Sequence, residues 1–223
     1  MTITNGRAAA GQPVGKRAAG AEGVGERAAD GQPSDGPRSV EDLRRGPASG
    51  GHWKYVHFWG HSPRRDGTLG PSCFSQWWPA PFTVDGITYA TAEHWMMAGK
   101  ARLFDDAEAE QRAIAAGHPQ QAKAAGRTVR GFDEKIWRRH RFGLVVEGSV
   151  HKFGGDPALR KFLLGTGSRV LVEASPLDRI WGIGLAADDD RATAPERWRG
   201  LNLLGFALME ARQRLRKPAA PGQ

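Results

Sequence analysis

In the stretch TAEHWMMAGKARLF, Glu93, Met97, Lys100 and Phe104 fall at i, i+4, i+7 and i+11. A helix there puts a carboxylate and an ammonium on one face with two large apolar side chains. Such a pair could serve as a base or charge stabiliser beside an anion holder. The same spacing also describes a packing helix, with Glu93 favoured by the helix dipole and Lys100 carrying its charge outward on an apolar stem. Spacing alone leaves both open.

A second group lies in LVEASPLDRIWGIG, where Glu173 and Asp178 stand beside Trp181, Gly182 and Gly184. Carboxylates next to a large ring, with backbone that a ligand can approach closely, suit a planar amine-bearing ligand. A turn-forming Asp and a core Trp would look the same. The two glycines form no dinucleotide fingerprint, because no strand–turn–helix context surrounds them. WRRHR (Trp137–Arg141) reads as a phosphate-binding face or a solvated one. Histidines 52, 57, 61, 94, 118, 140 and 151 show no metal spacing, and Glu93 and His94, being adjacent, point apart on a helix. No metal and no cofactor is expected.

Composition narrows the class. The chain has 223 residues, 39% hydrophobic and 25% charged, with net charge +8. That balance favours an anionic partner such as a phosphorylated ligand, with nucleic acid possible. Eight Trp and nine Phe against two Tyr supply rings for a core or for stacking. The single Cys73 allows no intrachain disulfide and suits a reducing, cytoplasmic setting. No run approaches the roughly 18 apolar residues of a membrane span, and the start lacks a signal peptide's apolar block.

The elements that must position these groups follow from local signals. Residues 1–50 repeat Arg-Ala-Ala at Arg7, Arg17 and Arg27 without an aromatic residue, and read as a disordered low-complexity tail. Within it, SVEDLRRG can form a turn or two of helix capped by Ser39. The domain is expected over 51–217, with a short tail at 218–223. WKYVHFW reads as a strand, and PFTVDGITYA as a hairpin turning at Asp85-Gly86. Helices are expected from Thr91, over 105–117, from Pro119, over 132–154, over 156–167 and over 200–216, with a buried strand at RVLVEAS. A few short strands among about six helices, without regular alternation, predict a single mainly helical α+β domain.

The motifs together resemble the YbiA-like NADAR family. FSQWWPAPFTVDGITYATAEHWMMAGKA carries the resemblance, followed by Ile136–Trp137, Lys152–Phe153, LLGTGSRVLVEASPLDRIWGIG and GLNLLGFALMEARQRL. Each piece alone is weak; five in order, from about Phe58 to Leu215, are specific. The resemblance implies a small α+β fold. It also implies hydrolysis of the N-glycosidic bond in reactive phosphorylated aminopyrimidine intermediates of riboflavin synthesis. The alternatives are removal of ADP-ribose from guanine in nucleic acid, or a non-catalytic ADP-ribose-binding module. By the same resemblance Glu93, Asp178 and Lys100 form the catalytic set. Trp137, Trp181 and Gly182 line the substrate, joined by Lys152, Asn202, Arg64 and Arg65. In this scheme Glu93 is the base or charge stabiliser, the tryptophans stack on the ring, and Lys100 with Lys152 or an Arg of RRHR holds phosphate. Arg64 and Arg65 lie in a basic loop where many relatives are shorter or more acidic, and could meet a second phosphate.

Overall fold

The computed structural model of the chain describes residues 36–47, 50 and 52–216. Of the expected tails at 1–50 and 218–223, residues 1–35, 48–49 and 218–223 lie outside the described residues, while 36–47 and 50 lie within them. The first helix, α1 (Val40–Arg45), starts at Ser39, whose side chain accepts from the Asp42 N–H. Its Leu43 is buried with the main core, and the Trp53 indole N–H donates to the Leu43 carbonyl at 3.1 Å.

Strand β1 (Tyr55–Phe58) pairs in parallel with β4 (Val170–Glu173), Tyr55 opposite Val170 and Phe58 opposite Glu173. Both strands are therefore read in one direction, and Glu173 sits at their carboxyl ends. The hairpin β2 (Phe82–Val84) and β3 (Ile87–Tyr89) turns at Asp85 and Gly86, both at positive φ (50° and 79°), which matches the twist of a two-residue hairpin. A 3-10 turn at Pro71–Phe74 packs against β1.

Between the strands run five helices: α2 (Ala92–Leu103), α3 (Ala107–Ile114), α4 (Pro119–Arg127), α5 (Glu134–Gly155) and α6 (Pro157–Leu164). After β4, α7 (Leu203–Arg216) lies against α5 and β4. The caps explain the boundaries. Asp106, Asp133 and Asp156 each accept from N–H groups of the first turn, so α3 and α5 start two residues later than expected and α6 one. Thr91 is extended at the start of α2, but its hydroxyl bonds the His94 ring at 2.8 Å instead of a backbone N–H.

Helix α2 is central, packed against α3, α4 and α5, and nearly every one of its side chains is buried. Its approach to α5 depends on Gly148, where a Cβ would stand 2.4 Å from the Trp95 ring. The Trp95 indole N–H donates to the Leu144 carbonyl at 2.8 Å, locking the same crossing.

Candidate active site

Three segments converge near the carboxyl ends of β1 and β4. Glu93 enters from the first turn of α2, held there by its own N–H donating to the Gln76 carbonyl at 3.0 Å. It is 4% exposed and its Oε1 has no partner. Burial pushes its carboxyl up to about 7, with Asp178 adding to the rise; Lys123, Trp77 and Arg127 oppose it. Glu173 extends from β4. Its Oε2 is shut from solvent and unpartnered, and burial, Asp178 and Glu93 raise it to about 8. Asp178 supplies the third carboxylate. Its Oδ1 accepts from the N–H groups of Ile180 and Trp181 at 2.8 and 2.7 Å, which fixes its direction.

Four buried side-chain polar atoms lack a partner among the described residues, and three of them belong to Gln76, Glu93 and Glu173. Buried polar groups are otherwise almost always satisfied. Their concentration at one place marks a site built to meet a ligand or water.

The cations come from α4 and α5. Lys123 is half-buried on α4, 5.9 Å from the Trp77 ring centroid, and its charge acts on both Glu93 and Glu173. Arg127, one turn on, acts on Glu93. Arg141 of α5 is buried and interacts with Glu134 and Asp178. Arg141 was covered by the WRRHR motif. Glu173 was visible only as a neighbour of Trp181; Gln76 and Trp77 fall in the FSQWW stretch but were not singled out as site residues, and Lys123 and Arg127 carried no signal beyond their i, i+4 spacing.

The remaining sequence candidates occupy distinct places. Lys100 donates to the Gly126 carbonyl at 2.7 Å and lies over Phe132 (4.1 Å) and Trp137 (5.6 Å). Burial lowers its pKa and Glu134 opposes the shift; its hydrogen bond and ring contacts go to Gly126, Phe132 and Trp137, not to Glu93, Glu173 or Asp178. Trp181 is half-buried in the Asp178 loop. Gly182 is packed so tightly that a Cβ would stand 2.8 Å from the Glu173 carbonyl oxygen. Asn202, fully buried at positive φ, accepts from the Glu173 N–H and donates to the Leu171 carbonyl, which braces the strand that carries Glu173. Lys152 is 2% exposed, and its ammonium donates at 2.7 Å to the carbonyls of both Cys73 and Ser75. It is an internal strut, where a phosphate holder would need an open ammonium. Arg64 and Arg65 are exposed, and Arg64 lines a groove with Lys161 and Arg169 at the amino ends of β1 and β4. No group of three His, Cys, Asp or Glu side chains among the described residues could hold a metal ion. None of the described helices is long and apolar enough to cross a membrane.

The NADAR domain family pattern matches residues 57–216. An N-glycosidase of Acanthamoeba polyphaga mimivirus is 41% identical over 165 residues, covering 72% of this chain and 95% of that protein. A chloroplastic riboflavin biosynthesis protein of Zea mays is 33% identical over 59% of this chain, a span that is 20% of its own length. The NMR structure of the Escherichia coli protein YbiA aligns with a TM-score of 0.57 and 28% identity, covering 73% of this chain and 85% of that one; the E. coli protein is named an N-glycosidase. A family pattern spanning most of the chain, near-complete relatives and a shared fold lead to one conclusion: the chain belongs to the NADAR domain family and is an N-glycosidase.

Proposed function

We propose that the chain hydrolyses the N-glycosidic bond of the reactive phosphorylated aminopyrimidine intermediates of riboflavin biosynthesis. The observation that carries this reading is the pair of buried carboxyls, Glu93 and Glu173, each with an unpartnered oxygen and each pushed upward by burial beside Asp178. Two neighbouring carboxyls held this way share a proton near neutral pH, so one can act as acid while the other acts as base. Glu173, still protonated, gives its proton to the departing nitrogen. As the bond to C1′ lengthens, positive charge grows on the sugar and the carboxylates stabilise it. Glu93 takes a proton from the attacking water, whose oxygen becomes the new C1′ hydroxyl. The products are ribose 5-phosphate and the free aminopyrimidine. Asp178 is aimed to accept from ribose hydroxyls or the amino edge of the base, Trp181 offers a stacking surface, and Lys123, Arg127 and Arg141 are the cations placed to meet phosphate.

A second reading, ADP-ribose removal from guanine in nucleic acid, draws on the exposed apolar side chains beside Asp178. Leu177 is 90% exposed, Ile180 43% and Leu201 49%, and such side chains can meet unstacked bases. Offering purified protein both substrates and following ribose 5-phosphate and ADP-ribose separately decides between them. Release of ribose 5-phosphate alone is expected. ADP-ribose alone, with steeply salt-dependent DNA binding, would transfer the assignment to the second reading, and release of neither would remove both.

A further inference from the structure

The basic loop that holds Arg64 lies away from the carboxylates. Arg64 borders a groove of about 580 Å³ whose floor is Val56, Leu69, Pro71 and Phe162 and whose rim includes Lys161 and Arg169. Arg169 immediately precedes β4, while Glu173 ends it. Four residues of strand put the two roughly 13 Å apart, at opposite ends of the sheet. The groove and the catalytic cluster are therefore separate places.

Its charge is one-sided. Among the described residues, Arg64, Lys161 and Arg169 form no ion pair. Arg169 is held in place by donating to the carbonyls of Thr166 (2.9 Å) and Gly165 (2.7 Å). Behind it Arg212 donates to the Thr166 hydroxyl and the Arg169 carbonyl, and Arg216 donates to the Gly167 carbonyl. Burial and then the charges of Arg216 and Arg169 push Arg212 down to about 10, with no carboxylate opposing. The acid near Arg64 is Asp66, whose Oδ1 accepts from the Thr68 N–H and hydroxyl. Cations gathered around an apolar, aromatic-floored depression complement a ligand that is anionic at one end and planar at the other. The volume falls within the range of small-molecule sites, about 300–1,000 Å³.

The geometry points to a second, non-catalytic site that takes a mononucleotide, its base on Phe162, Leu69 and Val56 and its phosphates between Arg64, Lys161 and Arg169. A polynucleotide would need a track of phosphate contacts; here three cations surround one depression. The assignment does not depend on which sugar the carboxylates cleave.

Titrating the full chain with ADP, with adenosine, inorganic phosphate and a single-stranded oligonucleotide alongside, tests it. Saturable ADP binding is expected, with amide shifts at Leu69, Phe162 and Thr166, and adenosine and phosphate each at least about tenfold weaker, since each lacks one half of the ligand. Lys161→Glu, at an exposed position, should weaken ADP at least about tenfold at unchanged melting temperature; Arg64→Glu repeats the test should the first variant misfold. Wild-type affinity in both folded variants, or ADP shifts confined to residues around Glu93 and Glu173, overturns the proposal. So does tight, steeply salt-dependent oligonucleotide binding without ADP binding, which would make this a nucleic-acid face.

Discussion

Glu93 and Glu173 carry protons that the unfolded chain would have lost by mid-acid pH. For Glu93 the unfolded value is near 4.5 and the folded one about 7. Between them the native state binds more protons, so stability falls as pH rises through this window. Glu93→Gln should therefore gain stability over the wild type by about 3 kcal/mol above pH 7, a gain that vanishes below about pH 4.5. The same change should cut turnover by about 100-fold or more. Equal melting temperatures at pH 8.5, or near-normal turnover, would contradict the burial argument or the catalytic one respectively. With one carboxyl of the pair needed ionised and the other protonated, kcat should be bell-shaped with both limbs above the usual carboxylate range, and Glu173→Gln should lose the bell shape along with most activity. Lys152 makes the opposite case. Lys152→Met leaves the Cys73 and Ser75 carbonyls without their buried donor, which should cost about 2–4 kcal/mol in denaturant unfolding. The folded fraction should keep its KM, whereas a phosphate-holding lysine would raise it.

At the scale of elements, the site depends on how α2 is wedged among α3, α4 and α5. Gly148 gives Trp95 room, and the Trp95–Leu144 hydrogen bond fixes the crossing of α2 on α5. Gly148→Ala inserts a methyl where the ring stands, so α2 must shift. Calorimetry should show a loss of about 1–3 kcal/mol, or a melting temperature several degrees lower. An unchanged melting temperature would mean the helices yield without cost. His94 adds a second anchor: its Nδ1 meets the Thr91 hydroxyl and its Nε2 meets the Ala116 carbonyl at 3.0 Å. The carbonyl can only accept, so Nε2 carries the proton and Nδ1 accepts from Thr91. Glu93 is thus held by its own N–H bonding to Gln76 from before the hairpin and by the anchored His94 that follows it.

Across the whole molecule, α1 sits with the domain core although it precedes the expected domain start at 51. A chain beginning at residue 36 should be more stable than one beginning at 51 by about 1.5–3 kcal/mol, the worth of burying Leu43. Equal unfolding midpoints would place the boundary at 51. The +8 net charge also resolves into places: Lys123, Arg127 and Arg141 around the carboxylates, and Arg64, Lys161 and Arg169 around the opposite groove.

The fold class and most elements were legible because their determinants are local. Asp133 and Asp156 cap whatever helix follows them, Asp85-Gly86 turns a hairpin through its own φ angles, and β4 reads as a short apolar run. The family, too, was legible, since its motifs stand in order along the chain. What the linear chain could not decide was solvent access and convergence. Lys100 and Lys152 are the same residue type in similar helical surroundings, yet one lies over two aromatic rings and the other donates to two buried carbonyls. Lys123 looked like one charge among 32 until α4 brought it to Glu93 and Glu173, thirty and fifty residues away. Sequence determined which helices, turns and strand form, because hydrogen bonds within a few residues set them. Tertiary packing decided which carboxyls keep their protons, because desolvation and long-range charge arise only when distant segments exclude water together.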